Sequence, residues 1–364
     1  LPPQAQWPEL RYDLPELQLP DQLNLVHELL DRAADKGWGS RPMLRSPQLT
    51  LSYAQARERV DRIARVLTED LGLVPGNRVL LRGGNSIGMA LAWLAVVKAG
   101  LIAVATMPLF RAKELGTVIE KAQPSVALCD ARLVDELELA QRAAPVLHTI
   151  VKFNAPGDPK DLDALCAAKS GNFQPCPTAT DDIAILGFTS GTTGKPKAAV
   201  HSHRDIIAAC EAWPRHVLKA TPDDIVVGSP PLAFTFGLGG LLVFPMWAGA
   251  SVYFPDIAYT PEAMVKLINQ VGATICYTAP TFYRQMAPYA KQHGTAGLRI
   301  CASAGEALPD ATRQLWKDAT GIEILDGIGA TEMFHIFISS AGAEVRRGAI
   351  GKVVPGYRAK VVDD

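Results

Sequence analysis

A regular alternation of apolar strand-like segments with helical patterns is the feature that most constrains this fold. Residues 78–81 predict a buried strand, residues 86–98 a buried helix that ends at Gly100, and residues 101–106 a second buried strand. A strand, a crossover helix and a second strand form a parallel β-α-β unit. A second alternating series begins at Ile183. We therefore predict an α/β fold in which helices cover two mostly parallel sheets, in αβαβα layers.

Charge and composition narrow the range of partners. The chain has 36 basic and 37 acidic residues, whereas bulk binding of nucleic acid or of an anionic membrane needs a basic excess. The apolar run over 88–109 has the length of a membrane span, but Lys98, Gly100 and Pro108 interrupt it. We therefore expect neither a nucleic-acid partner nor a membrane partner.

The cysteines indicate a reducing environment. No two of them form a C-x-x-C pair, and no cysteine–histidine cluster has the spacing of zinc ligands. We therefore expect reduced, structural thiols in a cytoplasmic protein. The six cysteines are Cys129, Cys166, Cys176, Cys210, Cys276 and Cys301.

The distribution of proline suggests a division into subdomains. Residues 156–180 contain four prolines and read as a linker or surface excursion. We expect one α/β subdomain over 1–165, a second that carries the binding sites over 166–339, and the start of a β-rich, barrel-like part over 340–364. The sequence begins without Met and stops within a strand-like pattern, so we expect the natural protein to be longer.

A dense cluster of glycine, hydroxyl and lysine residues follows the strand over 183–188. Gly191 and Gly194 let the backbone approach an anion and turn its N–H groups toward it. The segment is not a Walker A loop, because Thr189 stands where that motif has its first Gly and Pro196 follows the lysine. Hydroxyl groups and lysines add donors and positive charge that suit a triphosphate, and these are Thr189, Ser190, Thr192, Thr193, Lys195 and Lys197.

Three sequence blocks resemble the signatures of the adenylate-forming superfamily, which contains acyl-CoA synthetases, adenylation domains and luciferases. They are T-S-G-T-T-G-K-P-K over 189–197, S-A-G-E-A-L-P over 303–309 and D-G-I-G-A-T-E over 326–332. The continuation M-F-H-I-F after Glu332 looks like that of 2-aminobenzoate-CoA and benzoate-CoA ligases. The resemblance implies the large N-terminal domain of the superfamily, with the small C-terminal domain beyond residue 364.

The resemblance also assigns roles to residues of these blocks. Catalytic roles fall to Thr189, Lys197, Thr331 and Glu332, and Glu332 would hold Mg²⁺ against the triphosphate. Asp326 would accept the adenine amino group or, alternatively, cap the following turn. Ile328 stands where the superfamily has an adenine-stacking Tyr. The residues expected to bind ATP or AMP are Thr189, Ser190, Gly191, Thr192, Thr193, Gly194, Lys195, Gly305, Glu306, Ala307, Asp326, Gly327, Ile328 and Thr331.

An aromatic loop over 231–239 is similar to the segment that lines the acyl site in the superfamily. Phe236 would close a short pocket against a benzene ring. His335 would hydrogen-bond an ortho substituent, the alternative being a core histidine bound to a carbonyl. His203 would form the floor between the phosphate and acyl sites, or simply pack. The expected acyl pocket consists of Phe236, Gly237, Ala302, Gly327, Gly329, His335, Ile336 and His203.

The resemblance implies a two-step ligase. The carboxylate of an aromatic acid, with 2-aminobenzoate favoured, attacks the α-phosphorus of ATP, and the thiol of the co-substrate CoA then attacks the acyl-AMP. The superfamily supplies a lysine from its C-terminal domain, so we expect reduced activity from this piece alone. Three alternatives remain open: a benzoate-CoA ligase, an adenylation domain that loads an acyl carrier protein, and a catalytically incomplete nucleotide-binding module.

Overall fold

Strands and helices alternate along the part of the chain that the computed structural model describes, which is residues 3, 5, 7, 9–189 and 197–362. The strands are β1 (Pro42–Arg45), β2 (Thr50–Ser52), β3 (Arg78–Arg82), β4 (Ile102–Thr106), β5 (Val126–Asp130), β6 (Thr149–Phe153), β7 (Ile183–Thr189), β8 (Lys197–Ser202), β9 (Ile225–Gly228), β10 (Ser251–Tyr253), β11 (Ile275–Thr278), β12 (Ile300–Ser303), β13 (Ile324–Gly329), β14 (Ile336–Ser339) and β15 (Lys352–Val353).

The helices connect these strands and cover the sheets. The α-helices are α1 (Leu25–Leu29), α2 (Tyr53–Arg65), α3 (Ile87–Lys98), α4 (Ala112–Ala122), α5 (Val134–Ala143), α6 (Leu162–Cys166), α7 (His203–Trp213), α8 (Thr235–Leu238), α9 (Phe244–Ala248), α10 (Pro261–Val271), α11 (Pro280–His293) and α12 (Asp310–Thr320). Short 3₁₀ turns lie at Pro15–Leu17, Asp31–Ala33, Ala131–Leu133, Thr331–Met333 and Gly342–Glu344, and π-helical turns at Val66–Asp70, Pro214–Leu218 and Gly239–Val243.

Two sheets form, as the alternation predicts. The six-stranded sheet has the order β6-β5-β3-β4-β7-β8, and β8 alone among these strands runs antiparallel to its neighbour. The nine-stranded sheet has the order β15-β14-β13-β12-β11-β9-β10-β1-β2. Its central strands are parallel, and the antiparallel pairs lie toward its two edges. The predicted pair of helix-covered, mostly parallel sheets is therefore confirmed.

Three apolar cores account for the five layers. The largest lies between the sheets and combines strand residues such as Val79 and Tyr277 with nearly the whole of α3. A second packs α10, α11 and α12 on the outer face of the larger sheet. A third packs α4 and α5 on the outer face of the smaller sheet. Because α3 has a sheet on each side, its apolar residues surround the helix instead of forming one stripe, and the Ser86 hydroxyl caps its first turn by accepting from Met89 N.

One buried charge cluster fastens the end of α3. The Lys98 ammonium lies 2.6 Å from Asp31 Oδ1 and 2.5 Å from Asp61 Oδ1, and the Lys98 side chain is fully buried. Apolar residues at helical spacing predict an amphipathic helix over 24–36, and the observed helix is shorter. It ends at Leu29, and the chain tightens into the 3₁₀ turn Asp31–Ala33 where Asp31 reaches the lysine.

The predicted β-rich, barrel-like part contributes only one strand among its described residues. Lys352–Val353 pairs antiparallel with β14 and so extends the larger sheet, and residues 340–362 form no closed barrel. This strand is too short and too exposed to turn the sheet on itself. The subdomain boundaries at 165 and 339 stay predictions. No helix within the described ranges is long and apolar enough to cross a bilayer.

Candidate nucleotide and acyl site

The carboxyl ends of β12 and β13 bring two of the predicted blocks together. Ser303, the last residue of β12, is the register neighbour of Asp326, after which β13 continues to Gly329 beside β14. The chain then turns at Gly305, whose φ of +94° favours glycine, and Glu306 Oε1 accepts a hydrogen bond from Thr281 N at 3.1 Å. The predicted adenine-binding residues 305–307 therefore follow β12 at its carboxyl end, at the edge of the sheet where ligands of open α/β sheets bind, and Asp326 lies on the neighbouring strand.

Asp326 is buried with its carboxylate in a mixed environment. Burial raises the pKa of Asp326, although the Arg313 guanidinium, 3.6 Å from Oδ2, opposes the rise. Burial makes this carboxylate costly to ionise, and a hydrogen-bond donor that reaches it stabilises the charged form. This is compatible with the expected acceptor role toward an exocyclic amino group. Ile328 lies two residues further on and is 39% exposed, so its side chain is available to a flat ring.

Two glycines let β14 fold back closely on β13. A Cβ at Gly327 would lie 2.5 Å from Ile336 Cγ2, and a Cβ at Gly329 would lie 3.0 Å from the His335 carbonyl oxygen. Any larger residue at either position would push the two strands apart. The predicted pocket residues Gly327, Gly329, His335 and Ile336 are thus brought into direct contact.

The predicted phosphate loop joins the two antiparallel strands β7 and β8. Thr189 and Lys197 form the last described register pair of this hairpin. Thr189 is half-buried, and Lys197 is exposed. The remaining loop residues lie outside the described residues, and these are Ser190, Gly191, Thr192, Thr193, Gly194 and Lys195.

The segment with Thr331 and Glu332 docks on this hairpin through two contacts. A Cβ at Gly187 would lie 2.9 Å from Thr331 Cγ2, so the threonine methyl group occupies the space that glycine leaves. The His201 Nε2–H donates to the Thr331 carbonyl oxygen at 2.6 Å. Burial lowers the pKa of His201, which keeps the ring neutral, with that carbonyl partly opposing the shift. The structure therefore brings the exposed Glu332 next to the hairpin that carries the phosphate loop.

Two residues of this arrangement are not predicted from the sequence. They are Gly187 and Phe334, whose edge contacts the His201 ring at a centroid distance of 5.6 Å. Phe334 is buried and has a φ of +65°, which is strained for a residue with a side chain. This sharp reversal joins the Thr331–Met333 turn to β14. No local signal in the sequence marks such a reversal.

A cluster of aromatic rings surrounds His335, where the sequence predicts the acyl pocket. Its ring centroid lies 5.3 Å from Phe236, 5.3 Å from Trp213 and 4.6 Å from Phe244, and Phe236 also contacts Tyr277. Ala302 is the register neighbour of Tyr277 and faces the same core. The helix with Phe236 lies directly on the preceding loop, since a Cβ at Gly237 would be 2.1 Å from the Pro231 carbonyl oxygen. Four of the predicted acyl-pocket residues therefore lie together here, and these are Phe236, Gly237, Ala302 and His335.

His335 is neutral and presents a free acceptor. Burial lowers its pKa from the ordinary 6.5 to about 3, and the hydrogen bond to the Phe236 carbonyl opposes only part of that shift. Nε2 lies 3.3 Å from this carbonyl oxygen and must therefore carry the proton. Nδ1 is buried and has no hydrogen-bond partner among the described residues, and the same is true of Trp213 Nε1 and Tyr277 Oη. Such a set of orphaned atoms indicates a missing polar partner.

His203 lies in different surroundings from the other predicted acyl residues. Its Nδ1 accepts a hydrogen bond from Leu25 N at 3.1 Å, so it joins α7 to the start of α1. Burial lowers the pKa of His203 to about 4, which keeps this nitrogen free to accept. These contacts favour the packing interpretation of His203 over a role in the pocket.

Glu332 can offer one carboxylate ligand to a hard cation such as Mg²⁺. Within the described ranges no three His, Cys, Asp or Glu side chains are grouped as a metal site. A single exposed carboxylate suits Mg²⁺, which retains several waters and takes its other ligands from phosphate oxygens. Glu332 is therefore the residue that would hold the ion against a bound triphosphate.

Residues 30–364 match the AMP-binding enzyme family. The chain belongs to this family. It is 32% identical over 352 residues to the benzoate–CoA ligase of Thauera aromatica, covering 96% of this chain and 67% of that enzyme. It is 30% identical over 342 residues to the p-hydroxybenzoic acid–AMP ligase FadD22 of Mycobacterium tuberculosis, covering 93% of this chain and 46% of that enzyme.

Among solved structures, this AMP-binding family member resembles the anthranilate CoA ligase AuaEII in complex with anthranoyl-AMP. The TM-score is 0.91 at 32% identity, and the match covers 96% of this chain and 68% of that one. The predicted superfamily, fold class and kinship with benzoate and anthranilate CoA ligases are thereby confirmed. The chain spans between about half and two thirds of the length of these relatives.

Proposed function

We propose that the protein containing this chain is an AMP-forming acid–thiol ligase that activates an aromatic carboxylic acid with ATP and transfers the acyl group to CoA. We further propose that the acid is 2-aminobenzoate. The kinship with benzoate and anthranilate CoA ligases supports the aromatic class. The buried, unpaired Nδ1 of His335 in a cluster of aromatic rings is the observation that carries the choice of acid.

The proposed first step joins the two ends of the site. The acid's carboxylate attacks the α-phosphorus of ATP, forming an acyl-AMP and releasing pyrophosphate, and the CoA thiol then displaces AMP. Catalysis of this kind consists mainly of positioning and of neutralising charge on oxygen. Thr189, Lys197 and Thr331 would bind phosphate oxygens, and Glu332 would hold Mg²⁺, which supplies positive charge to the triphosphate. Asp326 and residues 305–307 would orient the adenine.

The unpaired Nδ1 of His335 favours an acid with an ortho-amino group over one with an unsubstituted ring. The His335 Nδ1 lone pair is buried, and Nε2–H is already bound to the Phe236 carbonyl. An amino group on the ring would donate to Nδ1, whereas benzoate would leave it unpaired. Leaving a buried polar atom unpaired costs about 1–3 kcal/mol, so the 2-amino acid should bind roughly 5- to 150-fold more tightly than benzoate.

Calorimetric titration in the presence of ATP tests this proposal. The wild-type protein should bind 2-aminobenzoate more tightly than benzoate, and His335→Phe should abolish the difference by weakening only 2-aminobenzoate. His203→Asn is the matched control, because that histidine contacts Leu25 and should leave the preference intact. Equal affinity of the wild-type protein for both acids would remove the hydrogen-bond argument, and tight binding of a long-chain fatty acid would refute the aromatic class.

A second acceptor is the main alternative. The similarity to the p-hydroxybenzoic acid–AMP ligase FadD22, whose match covers 93% of this chain, supports an enzyme that forms an aryl-AMP. An acyl carrier protein in place of CoA is the alternative acceptor that we propose for the acyl group. Incubating the protein that contains this chain with the acid, ATP and either CoA or an acyl carrier protein would separate the two, because thioester appears only with the true acceptor.

A further inference from the structure

The side chain of Asn85 joins the two sheets at the loop that leads into the acyl site. Asn85 follows β3 and so lies at the carboxyl edge of the six-stranded sheet. Its Nδ2 donates to the Pro230 carbonyl oxygen at 2.9 Å, and its Oδ1 accepts from Leu232 N at 2.8 Å. Pro230 and Leu232 lie in the loop after β9, which belongs to the nine-stranded sheet. Both halves of the amide therefore bind the backbone of one distant loop.

This loop determines where Phe236 lies. The Phe234 N–H donates to the Pro231 carbonyl oxygen at 3.0 Å, and the Leu238 N–H donates to the Phe234 carbonyl oxygen at 2.7 Å. Gly237 lies so close to Pro231 that no side chain fits between them. Helix α8 is thus built directly on the loop, and a shift of the loop backbone would move the Phe236 ring relative to His335.

We propose that Asn85 is a positioning residue that fixes the 230–232 backbone and thereby sets the selectivity of the acyl site for its ring substituent. The inference rests on the proposed function, since it assumes that Phe236 and His335 enclose an aromatic acid. The chemistry requires this residue type. A planar amide offers one donor and one acceptor side by side, which matches one backbone carbonyl and one N–H two residues apart. Asp lacks the donor, and Ala lacks both groups.

Two variants separate the two hydrogen bonds. Asn85→Asp keeps the acceptor for Leu232 N but turns an oxygen toward the Pro230 carbonyl, and Asn85→Ala removes both bonds. We expect either change to weaken 2-aminobenzoate binding about three- to tenfold, the range of one lost hydrogen bond, and to reduce its preference over benzoate. ATP affinity should change less than acid affinity, because Thr331 contacts Gly187 and His201 directly and neither of them lies in the 230–232 loop.

A matched control lies at the other end of the same strand. Asn77 precedes β3, and its Oδ1 accepts from Val74 N at 3.1 Å within its own loop. Asn77→Asp should leave both acid affinities unchanged. Hydrogen exchange gives a second readout, since the Leu232 amide should lose protection in Asn85→Ala and retain it in Asn85→Asp.

The outcomes are distinguishable. Wild-type affinities and preference in both Asn85 variants would overturn the inference, as would a parallel loss of ATP and acid affinity, which would mark a general folding role. Failure of the wild-type protein to bind either aromatic acid would refute the proposed function itself.

Discussion

Acidification should destabilise this fold through His335. Burial holds its pKa at about 3 in the folded chain, against an ordinary 6.5 that returns on unfolding. As pH falls below 6.5 the unfolded chain therefore binds a proton that the folded chain does not. The stabilisation from the neutral ring is complete above pH 6.5, is lost progressively below it, and stops falling below about pH 3.

The loss of unfolding free energy grows with the number of pH units below the pKa of His335 in the unfolded chain. One pKa unit corresponds to about 1.4 kcal/mol, so moving from pH 7 to pH 5 should lower the free energy of unfolding by about 2 kcal/mol through His335. His203, with a folded pKa of about 4, contributes a similar loss over the same interval. Both effects act in the same direction because burial is the leading cause at each residue.

Urea unfolding at pH 7 and pH 5 and constant ionic strength provides the assay. The difference in unfolding free energy between the two pH values should be about 2 kcal/mol smaller in His335→Phe than in the wild-type protein. An identical pH dependence in His335→Phe and the wild-type protein would refute the assignment of a neutral, buried ring to this position.

Three further outcomes follow from the contacts described. Glu332→Gln should weaken binding of ATP with Mg²⁺ by about tenfold or more and leave 2-aminobenzoate affinity intact, and equal loss of both affinities would instead mark a folding defect. Gly187→Val should also weaken ATP binding, because its side chain would displace Thr331, and unchanged nucleotide affinity would contradict that docking. Lys98→Met should lower the free energy of urea unfolding by about 3 kcal/mol, because the buried Asp31 and Asp61 would keep only the Arg57 guanidinium at 3.6 and 4.0 Å and, at Asp31, His27 at 3.2 Å, while the exposed Lys113→Met should cost almost nothing.

The sequence predicts those elements whose signals are local. The buried helix before Gly100 and the strands on either side of it can be predicted, because apolar periodicity and a terminating glycine are visible over a few residues. The predicted helix over 24–36 was too long because its second half responds to a pairing between Asp31 and Lys98, which is 67 residues away. Hydrophobic spacing contains no information about such a partner.

The candidate site shows the same limit. The motifs indicate that Thr331 and Glu332 belong near a phosphate loop, yet only the fold reveals that Gly187 and His201 hold the segment there. His203 illustrates the converse, since its place next to the loop in sequence suggested a pocket role, and its contact is with Leu25 on another helix. The roles of the site residues themselves stay predictions.

The two glycines that open the π-helical turn Gly239–Val243 limit how the proposed acyl site can be redesigned. A Cβ at Gly239 would lie 2.6 Å from His335 Cδ2, and one at Gly240 would lie 2.7 Å from Tyr277 Cδ1. The backbone at Gly239 and Gly240 therefore already contacts the rings of His335 and Tyr277. If this is the acyl site, room for a bulkier acid would have to come from the rings of Phe236 or Tyr277, because the close-packed backbone at Gly239 and Gly240 cannot move away. A library of variants that keeps both glycines would place its substitutions at positions where the packing can change.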